Sequence, residues 1–247
     1  MKITVLGATG LIGSRVVTLL RTAGHEVTPA ARSTGVDAVS GKGLDGALAG
    51  ADVVVDVTNA PSLDAEPVVE FFATESANLV AAATAAEVNH IVVLSIVGVD
   101  GLPDSGYARA KVVQEKTVAG SGLPYTIVRA TQFHEFTDRI VGALLVKGAY
   151  RVPDARIQPI SAAEVAAEVA DVAQAAPLNG VLDVGGPDKM TFAQLVRVVS
   201  EARGRQAPII VDPAATYFDT PVDHHSLVTG QGAVITETTL TDWLTAE

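Results

Sequence analysis

A glycine-rich turn between an apolar strand and an amphipathic helix constrains the fold of this chain more than any other feature. KITVLG (2–7) is rich in β-branched residues, and IGSRVVTLLRTAG (12–24) has apolar residues at helical spacing. In such a unit, glycines permit a tight turn, a close approach of the backbone to a pyrophosphate, and close packing of the helix on the strand. The turn therefore predicts a dinucleotide bound at the N-terminus of the first helix. The residues expected to contact it are Gly7, Thr9, Gly10, Leu11, Ile12 and Gly13.

Short apolar runs alternate with helical patterns through the first half of the chain. ADVVVDVT (51–58) and HIVVLSIVG (90–98) are typical of strands covered on both faces, and the Ala-rich residues 66–87 are typical of a helix. This alternation predicts an α/β fold of the Rossmann type, with a doubly wound parallel sheet and right-handed crossovers. We expect residues 1–150 to form the dinucleotide-binding core. Residues 151–247 are expected to form a small C-terminal lobe that packs on the core as one structural unit and completes the substrate pocket.

The composition excludes several classes of protein. There is no cysteine, which excludes disulfides and thiolate chemistry. The adjacent His224 and His225 lack a third candidate ligand, so no metal site is expected. The net charge of −11 disfavours nucleic-acid binding, which needs clustered basic residues. Because the chain shows no signal peptide and no apolar run that could span a bilayer, we expect a cytoplasmic protein that binds no membrane.

The segment SGYARAKVVQEK places Tyr107 and Lys111 one helical turn apart. An unperturbed tyrosine titrates near pH ~10, which is too high for easy proton exchange at neutral pH. An ammonium one turn away would stabilise the phenolate and lower the pKa of Tyr107. The pair alone is also consistent with two ordinary residues on one helical face, because every helix offers this spacing.

The segment GATGLIG, together with the YxxxK spacing, resembles the short-chain dehydrogenase/reductase superfamily. The segments RTAGHEVTPAAR and GLPYTIVRATQF look like its atypical, NmrA-like NAD(P)-binding branch. The resemblance implies that Tyr107 is a proton donor, that Lys111 also binds the nicotinamide ribose, and that Ser95 polarises a substrate carbonyl. One departure concerns the asparagine that completes a proton relay in many members, because Phe72 stands at that position.

The end of the second predicted strand bears on the choice of nicotinamide cofactor. Sites for NAD(H) usually offer an acid there to the ribose 2′-hydroxyl, but this strand ends at Arg32 and Ser33. No acidic residue lies between Glu26 and Asp37. A guanidinium is a fork-shaped donor suited to a 2′-phosphate, and Arg15 could add a second positive charge. The sequence therefore favours NADP(H), with NAD(H) as the second choice.

Residues that follow the carboxyl ends of other predicted strands are further candidates, since ligands bind beyond this edge of an open α/β sheet. Those expected near the cofactor are Thr58, Asn59, Ala60, Thr131 and Phe133. Those that could face the substrate are Gln132, His134 and Phe136, with packing at a helix N-terminus as the alternative for the last two.

Together these patterns predict an NADPH-dependent oxidoreductase that reduces a ketone, quinone or related carbonyl of a small organic molecule. The alternative is an NmrA-like redox-sensing or regulatory protein that binds NADP(H) without turnover, although a proton donor beside the nicotinamide favours the enzyme. Epimerase or dehydratase chemistry ranks third, because an aromatic content of 4% gives little basis for a platform that stacks a nucleotide sugar. A homodimer is compatible with the sequence.

Overall fold

The computed structural model describes residues 1–61 and 65–246, which form twelve strands and eight helices. The strands are β1 (Lys2–Leu6), β2 (Glu26–Ala30), β3 (Val53–Asp56), β4 (His90–Ile96), β5 (Tyr125–Ala130), β6 (Leu145–Val146), β7 (Ala149–Val152), β8 (Arg156–Ile157), β9 (Gly180–Gly185), β10 (Met190–Thr191), β11 (Ile209–Val211) and β12 (Val234–Ile235). The helices are α1 (Gly13–Thr22), α2 (Leu44–Leu48), α3 (Ala65–Ala85), α4 (Gly106–Ala119), α5 (Thr137–Ala143), α6 (Ala162–Gln174), α7 (Phe192–Ala202) and α8 (Leu240–Ala246).

A seven-stranded sheet has the order β12-β9-β5-β4-β3-β1-β2. Strand β1 pairs in parallel with β2 and β3, β3 pairs in parallel with β4, and β12 pairs in parallel with β9. Neighbouring strands that are not consecutive in sequence require crossover connections, which the intervening helices supply. The predicted α/β fold of the Rossmann type, a doubly wound parallel sheet, is confirmed.

The chain forms two compact units that interleave along the sequence. The first unit comprises Met1–Ser95, Gly106–Arg129 and Val165–Leu182, and the second comprises Ile96–Ser105, Ala130–Glu164 and Asp183–Glu247. The predicted core, residues 1–150, and the predicted lobe, residues 151–247, are each continuous in sequence, whereas the two observed units are not. The division into a core and a lobe stays a prediction. Within residues 1–61 and 65–246, every helix falls short of the length and apolar character that a bilayer crossing requires.

The core of the first unit explains why its strands β1 and β3 consist mostly of apolar residues. All four residues of β3 are buried, and so are four of the five in β1. Strands buried on both faces select apolar side chains at every position. The buried aliphatic cluster on this sheet includes Leu6, Ala30, Leu44, Leu48, Val54, Leu79, Ile91 and Val93.

The register of the first unit brings several strand ends to one edge. Leu6, the last residue of β1, is opposite both Ala30 and Asp56, which end β2 and β3. Asp56 is in turn opposite Val93 of β4. The segments that follow these three strands therefore emerge from the same edge of the sheet, as an open parallel sheet requires for a ligand site.

The second unit contains two small sheets and its own core. Strands β11, β7 and β6 form one small sheet, and β10 pairs antiparallel with β8 in the other. Helix α7 begins at a capping box, in which the Thr191 side chain accepts from the Gln194 amide and Gln194 reaches back to the Thr191 amide. The fully buried side chains of this helix are Phe192, Leu195, Val196 and Val199.

Candidate active site

The turn between β1 and α1 makes the close backbone contacts that were predicted from its glycines. Gly7 has a φ of +79°, which residues with a Cβ rarely adopt, and its amide donates to the Ala30 carbonyl at 3.0 Å. A Cβ on Gly13 would lie 2.2 Å from the Gly7 carbonyl oxygen. Helix α1 can therefore approach the turn only because position 13 has no side chain. A backbone turn packed in this way is of the kind that cradles a diphosphate in dinucleotide-binding folds.

The surface of this turn is polar and carries a positive charge. Thr9 and Gly10 are exposed, whereas Leu11 is half-buried and Ile12 is buried. The Arg15 guanidinium donates to the Leu11 carbonyl at 2.6 Å, so its charge lies directly against the turn. An arginine here and the positive end of the α1 dipole both favour an anion.

Arg32 follows β2 in a short 3-10 turn, Arg32–Thr34. Both Arg32 and Ser33 are exposed. Across residues 1–61 and 65–246, the Arg32 side chain has no hydrogen-bond or ion-pair partner. Its guanidinium is thus free to bind a ligand at the edge of the sheet where β1 and β2 end.

The segment after β3 is held by the buried Asp56 carboxylate. Asp56 Oδ1 accepts from the Thr58 amide at 3.0 Å and from the Thr58 hydroxyl at 2.7 Å. The next residue, Asn59, is exposed, and its Oδ1 accepts from the Ala60 amide at 3.0 Å. Thr58 and Ala60 are half-buried. The three residues predicted to lie near the cofactor therefore form an ordered turn with Asp56 at its base.

Tyr107 lies in the first turn of α4 and contacts this segment. Its hydroxyl donates to Asn59 Oδ1 at 3.2 Å, and its ring packs edge-on against Phe72, with 6.0 Å between ring centroids. Burial raises the pKa of Tyr107 to about 12. The predicted lowering of this pKa by Lys111 is therefore wrong for this structure, because desolvation of the phenol is the dominant effect.

Lys111 lies in a buried polar cluster and makes its hydrogen bond to Gln114, not to the phenol. Its side chain is 2% exposed, its ammonium donates to Gln114 Oε1, and Nζ lies 4.4 Å from the centre of the Phe72 ring. Burial lowers the pKa of Lys111 to about 8, against the opposing effects of nearby carboxylates, of which Asp56 is the strongest. The predicted contact of Lys111 with the nicotinamide ribose stays a prediction, and the observed contacts are structural ones.

Ser95 lies near the end of β4 and is 2% exposed. Its hydroxyl has no hydrogen-bond partner within the part of the chain that the structure describes. No hydrogen bond among these described residues joins Ser95, Tyr107 and Lys111 to one another. The structure thus places all three in the first unit but brings together only Tyr107 and the Asn59 turn.

In the second unit, the residues after β5 are mostly buried. The Thr131 amide donates to the Val184 carbonyl at 3.0 Å, and its side chain is 2% exposed. His134 is 1% exposed, its ring centroid lies 5.7 Å from that of Trp243, and burial lowers its pKa. These contacts support helix N-terminal packing, the alternative to a substrate contact, for His134. Trp243 in turn contacts this unit through His134, as an anchor of the last helix.

The remaining candidates in this segment form a partly exposed surface. Gln132 and Phe133 are half-buried, and the Gln132 carbonyl accepts from the Ile160 amide at 2.9 Å. The rings of Phe133 and Phe136 stack with centroids 5.6 Å apart, and Phe136 is 45% exposed. Phe136 is therefore the candidate in this group whose side chain is most accessible to a ligand.

Three buried polar residues beside the predicted site were not found from the sequence. They are Asp56, Glu75 and Gln114, each with no solvent-exposed surface. For Asp56 a signal existed, since an acid ending the apolar strand VVVD is rarely buried without a reason. For Glu75 and Gln114 there was none, because both sit among other polar residues on long helices.

The sheet and the glycine turn define a protein of the Rossmann type, a class that binds dinucleotides. A family model described as NAD(P)H-binding matches residues 7–175, which is more than half of the chain. The chain belongs to this NAD(P)H-binding family. The match confirms the predicted class of cofactor, NADP(H) or NAD(H).

Two curated proteins are similar over most of this chain. The (4-alkanoyl-5-oxo-2,5-dihydrofuran-3-yl)methyl phosphate reductase of Streptomyces griseus subsp. griseus is 33% identical over 222 residues, which are 82% of this chain and 74% of that protein. The NAD(P)H azoreductase of Xenophilus azovorans is 30% identical over the same shares. Both relatives are reductases, and they confirm the predicted enzyme class, an NAD(P)H-dependent reductase.

A solved structure shares the fold. The NADPH-dependent quinone oxidoreductase of Escherichia coli, complexed with NADPH, superposes with a TM-score of 0.69 at 24% identity, over 85% of this chain and 78% of that one. At this identity the likeness bears on the fold alone, which it supports.

Proposed function

We propose that this protein uses NADPH to reduce a ketone, quinone or related carbonyl of a small organic molecule. The observation that carries the proposal is the buried Ser95 hydroxyl, which lacks a partner among the described residues. An unsatisfied buried hydroxyl costs about 1–3 kcal/mol, so a hydrogen bond to a bound substrate would stabilise it. In the same unit, Tyr107 keeps a protonated phenol beside the turn that follows β3.

A nicotinamide dinucleotide fits the residues of the first unit. The cradle left by Gly7 and Gly13 would hold its diphosphate, and the Thr58–Ala60 turn would lie near the adenosine ribose. Arg32 would pair with a 2′-phosphate, which is the basis for proposing NADPH over NADH. When bound, the dinucleotide supplies the hydride. In the second unit, Thr131 and Phe133 stay candidates for contacts with the carboxamide.

Tyr107 would supply the proton. A pKa of about 12 keeps the phenol protonated at neutral pH, the form that reduction requires of a donor. Ser95 would donate a hydrogen bond to the carbonyl oxygen and stabilise the negative charge that develops there. The substrate oxygen would replace Asn59 Oδ1 as the acceptor of the Tyr107 hydroxyl. The phenolate then regains a proton from water, and the product is the alcohol.

The names of the relatives support a small organic substrate. The names of the two relatives refer to a furanone methyl phosphate and to azo compounds, and that of the structural neighbour refers to quinones. The three differ in the atoms reduced but share a double bond that accepts a hydride and a proton. We infer that the substrate of this protein has such a bond, with a carbonyl as the leading candidate.

A redox-sensing protein that binds NADP(H) without turnover is the second candidate. The observation in its favour is the position of Lys111, whose ammonium contacts Gln114 and Phe72 inside the protein and not the Tyr107 hydroxyl. A Tyr–Lys pair that is not assembled removes one reason to expect fast proton transfer.

Variants of the two hydroxyl groups test the enzyme. Tyr107→Phe and Ser95→Ala should each lower kcat about 10²-fold or more, the usual contribution of a general acid or an oxyanion donor, with NADPH affinity unchanged. Tyr125→Phe is the matched control, because Tyr125 begins β5 in the same unit and has no proposed role. The measurement is NADPH oxidation, followed by nicotinamide absorbance, with a panel of ketones and quinones. Equal kcat for Tyr107→Phe and wild type would exclude Tyr107 as the proton donor.

A further inference from the structure

Helices α3 and α4 and strand β3 enclose a group of ionisable side chains. Asp56 and Glu75 have no exposed surface, and Lys111 is 2% exposed. Gln114, also fully buried, accepts from the Lys111 ammonium through Oε1 and donates to Asp56 Oδ2 through Nε2 at 2.5 Å. Charges at this depth persist only when they are balanced and hydrogen-bonded. The charge state of each member therefore follows from its partners.

The single positive charge of the Lys111 ammonium can neutralise one carboxylate, but not both Asp56 and Glu75. Asp56 is connected to Lys111 through Gln114 and accepts hydrogen bonds through both oxygens. Neither oxygen of Glu75 has a hydrogen-bond partner among the described residues. Burial, reinforced by the nearby Asp56, raises the pKa of Glu75 well above its usual value. A carboxyl group this deeply buried and without a hydrogen-bond partner among the described residues favours its neutral form.

Among the described residues, the remaining carboxylate that acts on Lys111 is that of Glu115, which is already paired. Glu115 of α4 binds Arg129 of β5 through two hydrogen bonds, at 2.9 and 2.5 Å. On α3, the residue that faces the Lys111 ammonium is the uncharged Phe72, whose ring centre lies 4.4 Å from it. The groups whose titration affects the cluster are thus Asp56 from β3, Glu75 from α3 and Lys111 from α4.

Asp56 connects this cluster to the candidate active site. While its Oδ2 accepts from Gln114, its Oδ1 accepts from the amide and the hydroxyl of Thr58. The adjacent Asn59 accepts from the Tyr107 hydroxyl at 3.2 Å. The position of the phenol therefore depends, through two intervening residues, on which groups Asp56 binds.

We propose that Glu75 is a positioning residue that acts by holding a proton. In its neutral form Glu75 does not compete with Asp56 for Gln114 and Lys111. Asp56 then keeps the Thr58–Asn59 turn, and with it Tyr107, in place. When Glu75 releases its proton to solvent base, a second carboxylate competes for the Gln114 amide and the Lys111 ammonium. Asp56 then loses these partners, and the turn that it anchors loosens. The effect on catalysis rests on the proposed function, whereas the effects on stability and on cofactor binding do not.

Substitution of Glu75 by glutamine tests the proton-holding role without any assay of turnover. Glu75→Gln preserves the shape of the neutral acid and removes its proton, and Glu70→Gln is the matched control, an exposed glutamate on the same helix. Because the folded-state pKa is raised, the stability of wild type relative to Glu75→Gln should fall as pH rises above 4.5. Urea unfolding between pH ~5 and ~7.5 measures this, in a range where Lys111, with a pKa of about 8, keeps its proton. A pH-independent difference between the two proteins would overturn the assignment.

NADPH titration over pH ~6 to ~9 tests the positioning role. Because ionised Glu75 would draw Gln114 and Lys111 away from Asp56, the Kd of wild type should rise more steeply with pH than that of Glu75→Gln, by at most about tenfold per pH unit. The kcat of wild type, where turnover is found, should show the same contrast. Identical pH profiles for wild type and Glu75→Gln would overturn the positioning role, whatever the stability data show. Absence of turnover in both proteins would count against the proposed function alone.

A measurement on the wild-type protein covers the case in which Glu75→Gln does not fold. Infrared spectroscopy distinguishes a protonated carboxylic acid, with its separate carbonyl band, from a carboxylate. We expect one such band at neutral pH, assigned to Glu75 by selective isotope labelling of glutamate. Its absence at pH ~7, where exposed glutamates are fully ionised, would overturn the proposal.

Discussion

Gly13→Ala is the substitution whose effect the structure specifies best. The new Cβ would lie 2.2 Å from the Gly7 carbonyl oxygen and 2.9 Å from the Ala8 Cα, both backbone atoms that no rotamer change can move. Ordinary contact begins at 3.4 Å, so the turn or helix α1 must shift by about 1.2 Å. Overpacking of this kind costs about 1–3 kcal/mol. A shift of this size also displaces the amides proposed to hold the diphosphate, so we expect NADPH affinity to fall tenfold or more, equivalent to about 1.4 kcal/mol.

Gly46→Ala is the control for this experiment. Gly46 is an exposed residue inside α2, and a Cβ there would meet nothing within 4 Å. Alanine should therefore stabilise the protein by about 0.5–1 kcal/mol through helix propensity, with no change in NADPH affinity. Urea unfolding and titration of cofactor fluorescence measure the two effects. A Gly13→Ala variant with the same urea midpoint and the same NADPH affinity as wild type would refute the proposed role of the turn.

Three further predictions concern the cofactor, a helix cap and a buried histidine. Arg32→Asp should weaken NADPH binding by about 1.5–3 kcal/mol and spare or improve NADH binding in parallel titrations, and equal losses for both would contradict the NADPH preference. Thr191→Ala removes the cap of α7 and should lower the free energy of unfolding by about 1 kcal/mol in urea, so an unchanged midpoint would count against the capping box. Burial lowers the pKa of His90 from 6.5, so the stability of wild type relative to His90→Gln should decrease as pH falls below 6.5. A stability difference that is constant with pH would show that His90 titrates normally.

Much of the fold was predictable because its signals are local. Strands such as β3 and β4 are continuous apolar runs, and the cap of α7 is a Thr191–Gln194 pair three residues apart. The short strands β6, β8, β10 and β12 have two residues each, too few to show a period. Residues 205–236, where β11 and β12 lie, accordingly gave no pattern that could be assigned.

The parts of the candidate site that depend on local backbone geometry were predictable from the sequence. The parts whose properties depend on burial were not. The glycine turn follows from the sequence because Gly7 and Gly13 meet a steric requirement within seven residues. The pKa of Tyr107 was predicted in the wrong direction, because the four-residue spacing says nothing of where the Lys111 ammonium points. Glu75 was missed because its burial results from the packing of α3 against other elements, which sequence periodicity on an Ala-rich helix does not reveal.

Isotope transfer tests the central claim most directly. Purified protein is mixed with NADPH that carries deuterium at both C4 positions and with a panel of ketones, and the products are examined by mass spectrometry. Quinones are followed by NADPH oxidation, because a hydroquinone does not retain the transferred deuterium. We predict a reduced product that contains one deuterium from the cofactor, formed by wild type and far more slowly by Tyr107→Phe. A protein that binds NADPH tightly but neither transfers deuterium to any ketone nor oxidises NADPH with any quinone would contradict the account and favour a sensor.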